Sequence, residues 1–218
     1  MTHGGSYVGA TGHVSRLDLY DPLVRLTVRE RRFKRRLLQQ AGLRPGLRVL
    51  DAGCGTGTLA LMAKRKAPGA LVVAIDGDPA ALALARRKIS KAGIDIILHH
   101  GLVQRLPYPN ASFDRVLSTL VLHHLSHSGK TAALAETARV LAPGGEFHVA
   151  DFGRPANALM RAGFWLVRKA DGVENTEDNL EGRLPELIAQ AGFRQVRETA
   201  SFATAFGTVR LYAASGAA

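Results

Sequence analysis

Apolar and polar positions alternate between two periods along most of the chain. From Leu17 to Ala41, residues Leu19, Leu23, Leu26, Phe33 and Leu37 recur at steps of four, three, seven and four, the spacing of a helix. Gly42, Pro45 and Gly46 stop that helix and lead into LRVLDAG, a short run of buried-strand character. Strand and helix signals then follow one another as TLALMAKRKA, LVVAID, PAALALARRKISKAG, IDIILHHG, FDRVLSTLV, KTAALAETARVLA, and GGEFHVADF after Pro143-Gly144-Gly145. Asp78 is placed to cap a helix that has Pro79 at its first position, and Gly93 to end it. Such alternation predicts an α/β fold, a doubly wound and mostly parallel sheet with helices on both faces. After Phe152 the pattern changes to a segment from Pro155 to Ala170 and a polar stretch, DGVENTEDN, the two read together as a variable cap reaching Asn179. A helix near Leu184 to Ala191 follows, then FRQVRETA and FGTVRLYAA as a closing pair of strands.

No linker interrupts this order, so 218 residues are expected to form a single domain. Within it, 1–44 form an N-terminal lid and helix, 45–152 a cofactor-binding half, and 153–218 an acceptor cap with the closing strands. With 46% apolar and 22% charged residues the chain is no disordered tail, and no apolar run approaches the ~18 residues of a spanning helix. The lone cysteine, Cys54, excludes a disulfide within the chain and any multi-cysteine zinc site. It suits a reducing compartment, and the N-terminus lacks the apolar core of a secretion signal, so a cytoplasmic location is expected. Charge is uneven. Of the net +11, the stretch from Arg25 to Arg36 contributes +6, from seven basic residues against Glu30. Such a run is commonly a solvated helix face, but it also suits transient contact with an anionic membrane surface or an acidic molecule. Nucleic acid is disfavoured, because Phe33 is its only interleaved aromatic. Nothing in the pattern specifies a partner subunit.

The chemistry concentrates in VLDAGCGTGTLA, residues 49–60: strand, acidic residue, glycine-rich turn, helix start. Gly53, Gly55 and Gly57 let a ligand approach the backbone at a helix N-terminus. The sixth position of the dinucleotide fingerprint, Gly or Ala, is Thr58 here. Asp51, at the strand's carboxyl end, would repel a pyrophosphate and favour an ammonium or sulfonium; capping a turn is its other reading. Asp76 ends the second strand 23 residues after Gly53, where a doubly wound fold binds the ribose hydroxyls of an adenosine. Together they fit adenosine without phosphate.

Here the chain resembles the class I S-adenosylmethionine-dependent methyltransferases, and within them the branch of the ubiquinone and menaquinone biosynthesis methyltransferases. The resemblance runs from Leu47 to Asp151 through four ordered motifs, VLDAGCGTG, VVAIDGDPAAL, LPYPNASFDRVLSTLVLHHL and RVLAPGGEFHVAD. It implies a seven-stranded sheet whose last strand is reversed, with S-adenosylmethionine as cofactor and S-adenosylhomocysteine as product. Asp51, Gly53, Cys54 and Gly55 would cradle the methionine part, Asp76 and Gly77 the ribose. Leu102 and Val103, after Gly101, would flank the adenine, and Ser118 and Thr119 would lie beside the methyl group. Leu102 stands where the family often has an acid for the adenine amine, and Gly77 where it often has a large apolar residue.

Among the other polar residues, His99-His100 and His123-His124 suggest metal, but adjacent side chains are expected to diverge and no carboxylate cluster accompanies them, so no metal is expected. Cys54 reads as a small residue between glycines. Phe164 and Trp165 fall where the family builds its acceptor pocket, with core packing as the equal alternative. By resemblance to phosphoethanolamine methyltransferases, His124 is the candidate general base and Tyr20 its orienting partner. The function expected is methyl transfer to a small or lipid-like acceptor, a quinone, phospholipid or metabolite; the alternative is a nucleotide-binding module of this fold without turnover. A nicotinamide-dependent oxidoreductase is disfavoured by Asp51 and Thr58.

Overall fold

The computed structural model describes residues 30–216. Its first element, α1 (Glu30–Gln40), is the second half of the predicted N-terminal helix. Leu19, Leu23, Leu26, the lid region, Tyr20 and the basic residues Arg25 and Arg29 lie outside the described residues. Then come β1 (Arg48–Ala52), α2 (Thr58–Lys66), β2 (Leu71–Asp76), α3 (Pro79–Ala92), β3 (Ile97–His100) and β4 (Phe113–Thr119). A 3-10 turn (Leu122–His124) leads to α4 (His127–Val140) and β5 (Leu141–Gly153). The cap is α5 (Ala158–Asp171) and α6 (Val173–Glu181), followed by α7 (Leu184–Gln190), β6 (Arg194–Thr204) and β7 (Gly207–Ser215).

The seven strands form one sheet in the order β3-β2-β1-β4-β5-β7-β6. β1 to β5 pair in parallel, and β7 runs antiparallel to both β5 and β6. This is the doubly wound sheet with a reversed last strand. The period-two alternation explains its two cores: Val49, Val72, Leu117 and Leu211 enter one, their neighbours Leu50, Val73, Val116 and Tyr212 the other. α1, α2, α3, α5 and α6 cover the first face, α4 and α7 the second. α1 is fastened at its end by Gln40, whose amide donates to the Tyr212 carbonyl (3.1 Å) and accepts from the Thr199 hydroxyl (2.5 Å).

Three local outcomes differ from the sequence pattern. β4 stops at Thr119, two residues short of the apolar run, because Leu120 adopts φ 57°, a left-handed conformation that no ladder continues. α4 begins at His127, three residues before Lys130, because Ser126 caps it by accepting the Gly129 N–H (3.2 Å). The polar stretch DGVENTEDN is mostly helix α6, with Thr176, Asp178, Asn179 and Leu180 buried. Its polar side chains are tied inward, Asn179 to the Phe152 carbonyl (2.7 Å) and Asp178 to the fully buried Lys130 ammonium (3.3 Å). Helical burial of this kind carries no apolar period.

The Asp78–Gly93 signals are realised. Asp78 accepts the N–H groups of Ala80 (2.8 Å) and Ala81 (3.4 Å), and Gly93 closes α3 at φ 62°. Asp78→Ala is expected to cost about 1 kcal/mol of stability in urea unfolding, with an unchanged slope.

Candidate active site

The carboxyl ends of β1, β2, β4 and β5 converge where the strand order reverses, the usual position of a site in an open α/β sheet. The glycine loop after β1 is pinned to the end of β2. The Ile75 carbonyl accepts the N–H of Gly53 (2.9 Å) and of Cys54 (3.0 Å), and the Asp76 carboxylate accepts that of Gly55 (2.7 Å). A Cβ on Gly53 would lie 2.4 Å from a Val121 methyl, so that position excludes any side chain. Gly55, at φ 52°, faces open space instead.

Asp51 is fully buried, and neither of its carboxylate oxygens has a hydrogen-bond partner among the described residues. Burial pushes its pKa up to about 7, an effect opposed by the Lys34 ammonium and by the nearby Ala60 N–H, which falls short of hydrogen-bond geometry, and reinforced by Asp76. Lys34, on α1, is itself buried and paired with Glu30. Asp76 is raised as well, first by burial; its two oxygens accept the N–H of Gly55 and of Asp78 (2.8 Å), so it fixes both loops while keeping further lone pairs. The Cys54 thiol is pushed well above its usual range by burial and then by Asp51 and Asp76, and so stays protonated. Gly77 accepts a hydrogen bond on its carbonyl from His100 Nε2 (3.2 Å). After β3, Leu102 is exposed and Val103 buried. Ser118 donates to the Ala52 carbonyl (3.0 Å), tying β4 to β1 beside the glycine loop.

The second half of the site is a chain of imidazoles and carboxylates. Asp151, at the end of β5 and fully buried, accepts the N–H of Val121 (3.0 Å), Leu122 (2.7 Å) and Phe152 (2.7 Å). It also accepts His123 Nδ1 at 2.7 Å. Burial opposes charge on both partners, yet their mutual attraction prevails: His123 is raised and Asp151 lowered. His124 Nδ1 donates to Asp171, the last residue of α5, at 2.9 Å; since a carboxylate only accepts, Nδ1 carries the proton and Nε2 is left as the basic atom. Burial, and then the neighbouring His123 charge, hold His124 below its usual pKa.

The expectation that the adjacent histidines diverge is corrected here. On a 3-10 turn their rings lie 4.0 Å apart, and Asp171 approaches both. Ligand atoms of His123, His124 and Asp171 fall within 4.8 Å of one another, the one group among the described residues spaced to hold a cation, though each imidazole is already matched by an aspartate. His99 turns to the Tyr108 hydroxyl (2.9 Å) and His100 to Gly77, so that pair does separate. Tyr20 lies outside the described residues. Phe164 is buried against Phe152, with ring centroids 5.4 Å apart, while Trp165 is exposed. Sequence reasoning assigned no role to Asp151, although it ends the fourth motif, nor to Asp171. It also missed Gln104 and Asn179, each with one buried side-chain oxygen lacking a partner among the described residues.

A family model described as a methyltransferase domain matches residues 49–145. An uncharacterized methyltransferase of Synechocystis sp. is 31% identical over 169 residues, covering 78% of this chain and 77% of that protein. The chain belongs to the class I S-adenosylmethionine-dependent methyltransferases. A demethylmenaquinone methyltransferase of Thermus thermophilus is 40% identical over 124 residues. That match takes in 57% of this chain, which spans only 56% of the length of that relative. The methyltransferase sheet also superposes on a phosphoethanolamine N-methyltransferase of Haemonchus contortus in complex with S-adenosyl-L-methionine. The TM-score is 0.68 at 18% identity, over 86% of this chain and 53% of that one.

Asp151→Asn would turn an amide NH2 toward N–H donors and leave His123 without its counter-charge; a loss of about 3–5 kcal/mol is expected in urea unfolding. Because His123 is raised, its contribution is complete below about pH 6.5 and fades as pH rises through its folded value. Because Asp151 is lowered, its contribution is complete above about pH 3.9 and fades as pH falls through its folded value. The difference between wild type and variant should therefore be largest between about pH 4 and 6.5 and narrow on either side.

Proposed function

We propose that the protein transfers a methyl group from S-adenosylmethionine to a small or lipid-like acceptor, with Asp51, Gly53, Cys54, Gly55, Asp76, Gly77, Leu102, Val103 and Ser118 forming the cofactor site. The observation that carries this reading is Asp51, a buried carboxylate with neither oxygen satisfied by a described residue. A cation is the ligand that such a group favours, and a pyrophosphate is the one it rejects. Gly55 leaves room for close approach at the start of α2, and Asp76 has lone pairs for two hydroxyls. Leu102 and Val103 offer the adenine apolar contact, and the Gln104 carboxamide oxygen supplies a buried acceptor that Leu102 lacks. When bound, S-adenosylmethionine supplies an activated methyl group and departs as S-adenosylhomocysteine.

The chain's own contribution is to hold acceptor and methyl in line and to receive a proton. If the acceptor atom is a hydroxyl, an enol-like carbon acid or a protonated amine, its electron pair forms the new bond to carbon and its proton passes to His124 Nε2. His124 is neutral near pH 7 because it is held below its usual pKa, and Asp171 orients it as a positioning residue. Tyr20 from the 1–44 lid would complete that arrangement, and 153–218 would supply the acceptor cap. The names of the quinone-methylating relatives favour an acceptor soluble in lipid. A cytoplasmic setting suits the free thiol of Cys54.

Calorimetric titration tests the cofactor site. Affinity for S-adenosylmethionine should rise about tenfold per pH unit below 7 and level off above it, as Asp51 gives up its proton. Asp51→Asn should flatten that profile, and Asp76→Ala should weaken binding by about tenfold or more. A flat wild-type profile, or an unchanged Asp76→Ala affinity, would remove the corresponding assignment.

A screen of acceptors read by S-adenosylhomocysteine release then tests the base. Turnover should fall as pH drops through a value below about 6.5, the His124 limb. His124→Ala should lower the rate by about 10²–10⁴ and abolish that limb, and Asp171→Asn should move the limb to lower pH. Unchanged rates and an unchanged limb in His124→Ala would leave His124 as scaffold only.

A further inference from the structure

We propose that the outward face of α5 is a docking surface for an anionic lipid bilayer, with Trp165 entering the headgroup region. The helix ALMRAGFWLVRKAD is apolar on two sides. Its inward side chains, Phe164 and Val167, are buried in the core under the sheet. Its outward ones, Leu159, Trp165 and Leu166, are 73%, 59% and 50% exposed, and Val173, just past the bend at Gly172, is 58% exposed. Seven large apolar side chains are exposed among the described residues, and four of them fall between 159 and 173. At 100° per residue, Leu159, Ala162 and Leu166 form one stripe, with Trp165 and Lys169 along its edge.

Charge identifies the occupant. Arg161 and Lys169 are exposed beside the stripe, and the Lys169 ammonium lies 5.5 Å from the centre of the Trp165 ring. The one acid of the helix, Asp171, is turned inward to His124. An exposed surface of leucine and tryptophan edged by cations matches the acyl boundary and anionic headgroups of a bilayer. With 14 residues α5 is too short to span, and no helix among the described residues is long and apolar enough to do so, so the fit is parallel to the membrane plane. This differs from the contact expected through the Arg25–Arg36 run. It also requires no step of methyl transfer, so vesicle binding can succeed or fail without cofactor or acceptor present.

Trp165 is the only tryptophan of the chain and therefore reports its own surroundings. The full-length protein would be mixed with vesicles of phosphatidylcholine and phosphatidylglycerol, and with phosphatidylcholine alone. On the anionic vesicles tryptophan emission should shift to the blue, brominated acyl chains should quench it, and high salt should weaken both effects. Leu166→Asp and Lys169→Glu keep the probe and should lower partitioning, the first by about tenfold or more, while circular dichroism and urea midpoints stay at wild-type values. Flotation with no change in emission and no quenching would place membrane contact elsewhere, on the basic N-terminal run, and overturn the proposal. So would a blue-shifted emission before lipid is added, meaning that residues 1–29 cover the face. A lipid-independent blue shift that grows with protein concentration, meaning a second copy, would overturn it too, as would absence of binding at low salt.

Discussion

The buried carboxylate of Asp151 holds the carboxyl end of the sheet together. Three backbone N–H groups and one imidazole converge on it, drawing the segment after β4 against the end of β5. Without that anchor the chain leaving Thr119 would have no reason to turn through a left-handed residue at Leu120, which is unfavourable for a side chain of this size. With it, Val121 closes over Gly53, and His123 and His124 are stacked on one short turn rather than sent to opposite sides. A buried charge is tolerable when its lone pairs are filled and a counter-charge lies beside it, and Asp151 meets both conditions.

Asp51, at the end of β1 in the same crevice, fails the first, and its only opposing cation among the described residues, Lys34, is already paired with Glu30. The contrast separates architecture from recognition. Asp151 is lowered below the ordinary carboxylate range because the protein completes its environment. Asp51 is raised because the described protein does not. Such incompleteness costs stability and is retained where a ligand supplies the missing charge. Cys54, pushed up by its own burial and then by Asp51 and Asp76, is kept inert, and transfer of an already activated methyl group asks for no thiolate.

Sequence reasoning read the sheet well because its strands alternate cleanly between two cores, as at Val49-Leu50 and Val72-Val73, and because Asp78, Pro79 and Gly93 carry local capping signals. It placed the glycine turn between β1 and α2, and Asp51 and Asp76 at strand ends, because strand period and glycine turns are written in residue type. It failed at α6, where the inward groups are Thr176, Asp178 and Asn179 and the pattern of burial is polar. It failed at the histidine pair for a related reason: the convergence depends on a 3-10 turn and on Asp171, which lies 47 residues further along the chain. Long-range polar partners leave no local period. Tyr20 and the lid fall outside the described residues, so that part of the reading has no structural counterpart.

Val121 joins the two halves of the site through a single residue. One methyl group fills the space that any side chain on Gly53 would need, while its N–H is held by Asp151. The glycine loop and the histidine turn therefore share a wall one side chain thick. A lineage that reshapes residues 121–124 also alters the packing behind its glycine loop, and a change in the loop presses on the turn that carries His123 and His124. The glycine loop and residues 121–124 are in this way tied in descent: drift in one calls for compensation in the other, and Asp171 of α5 and Asn179 of α6, bonded to the same turn and strand end, share the constraint.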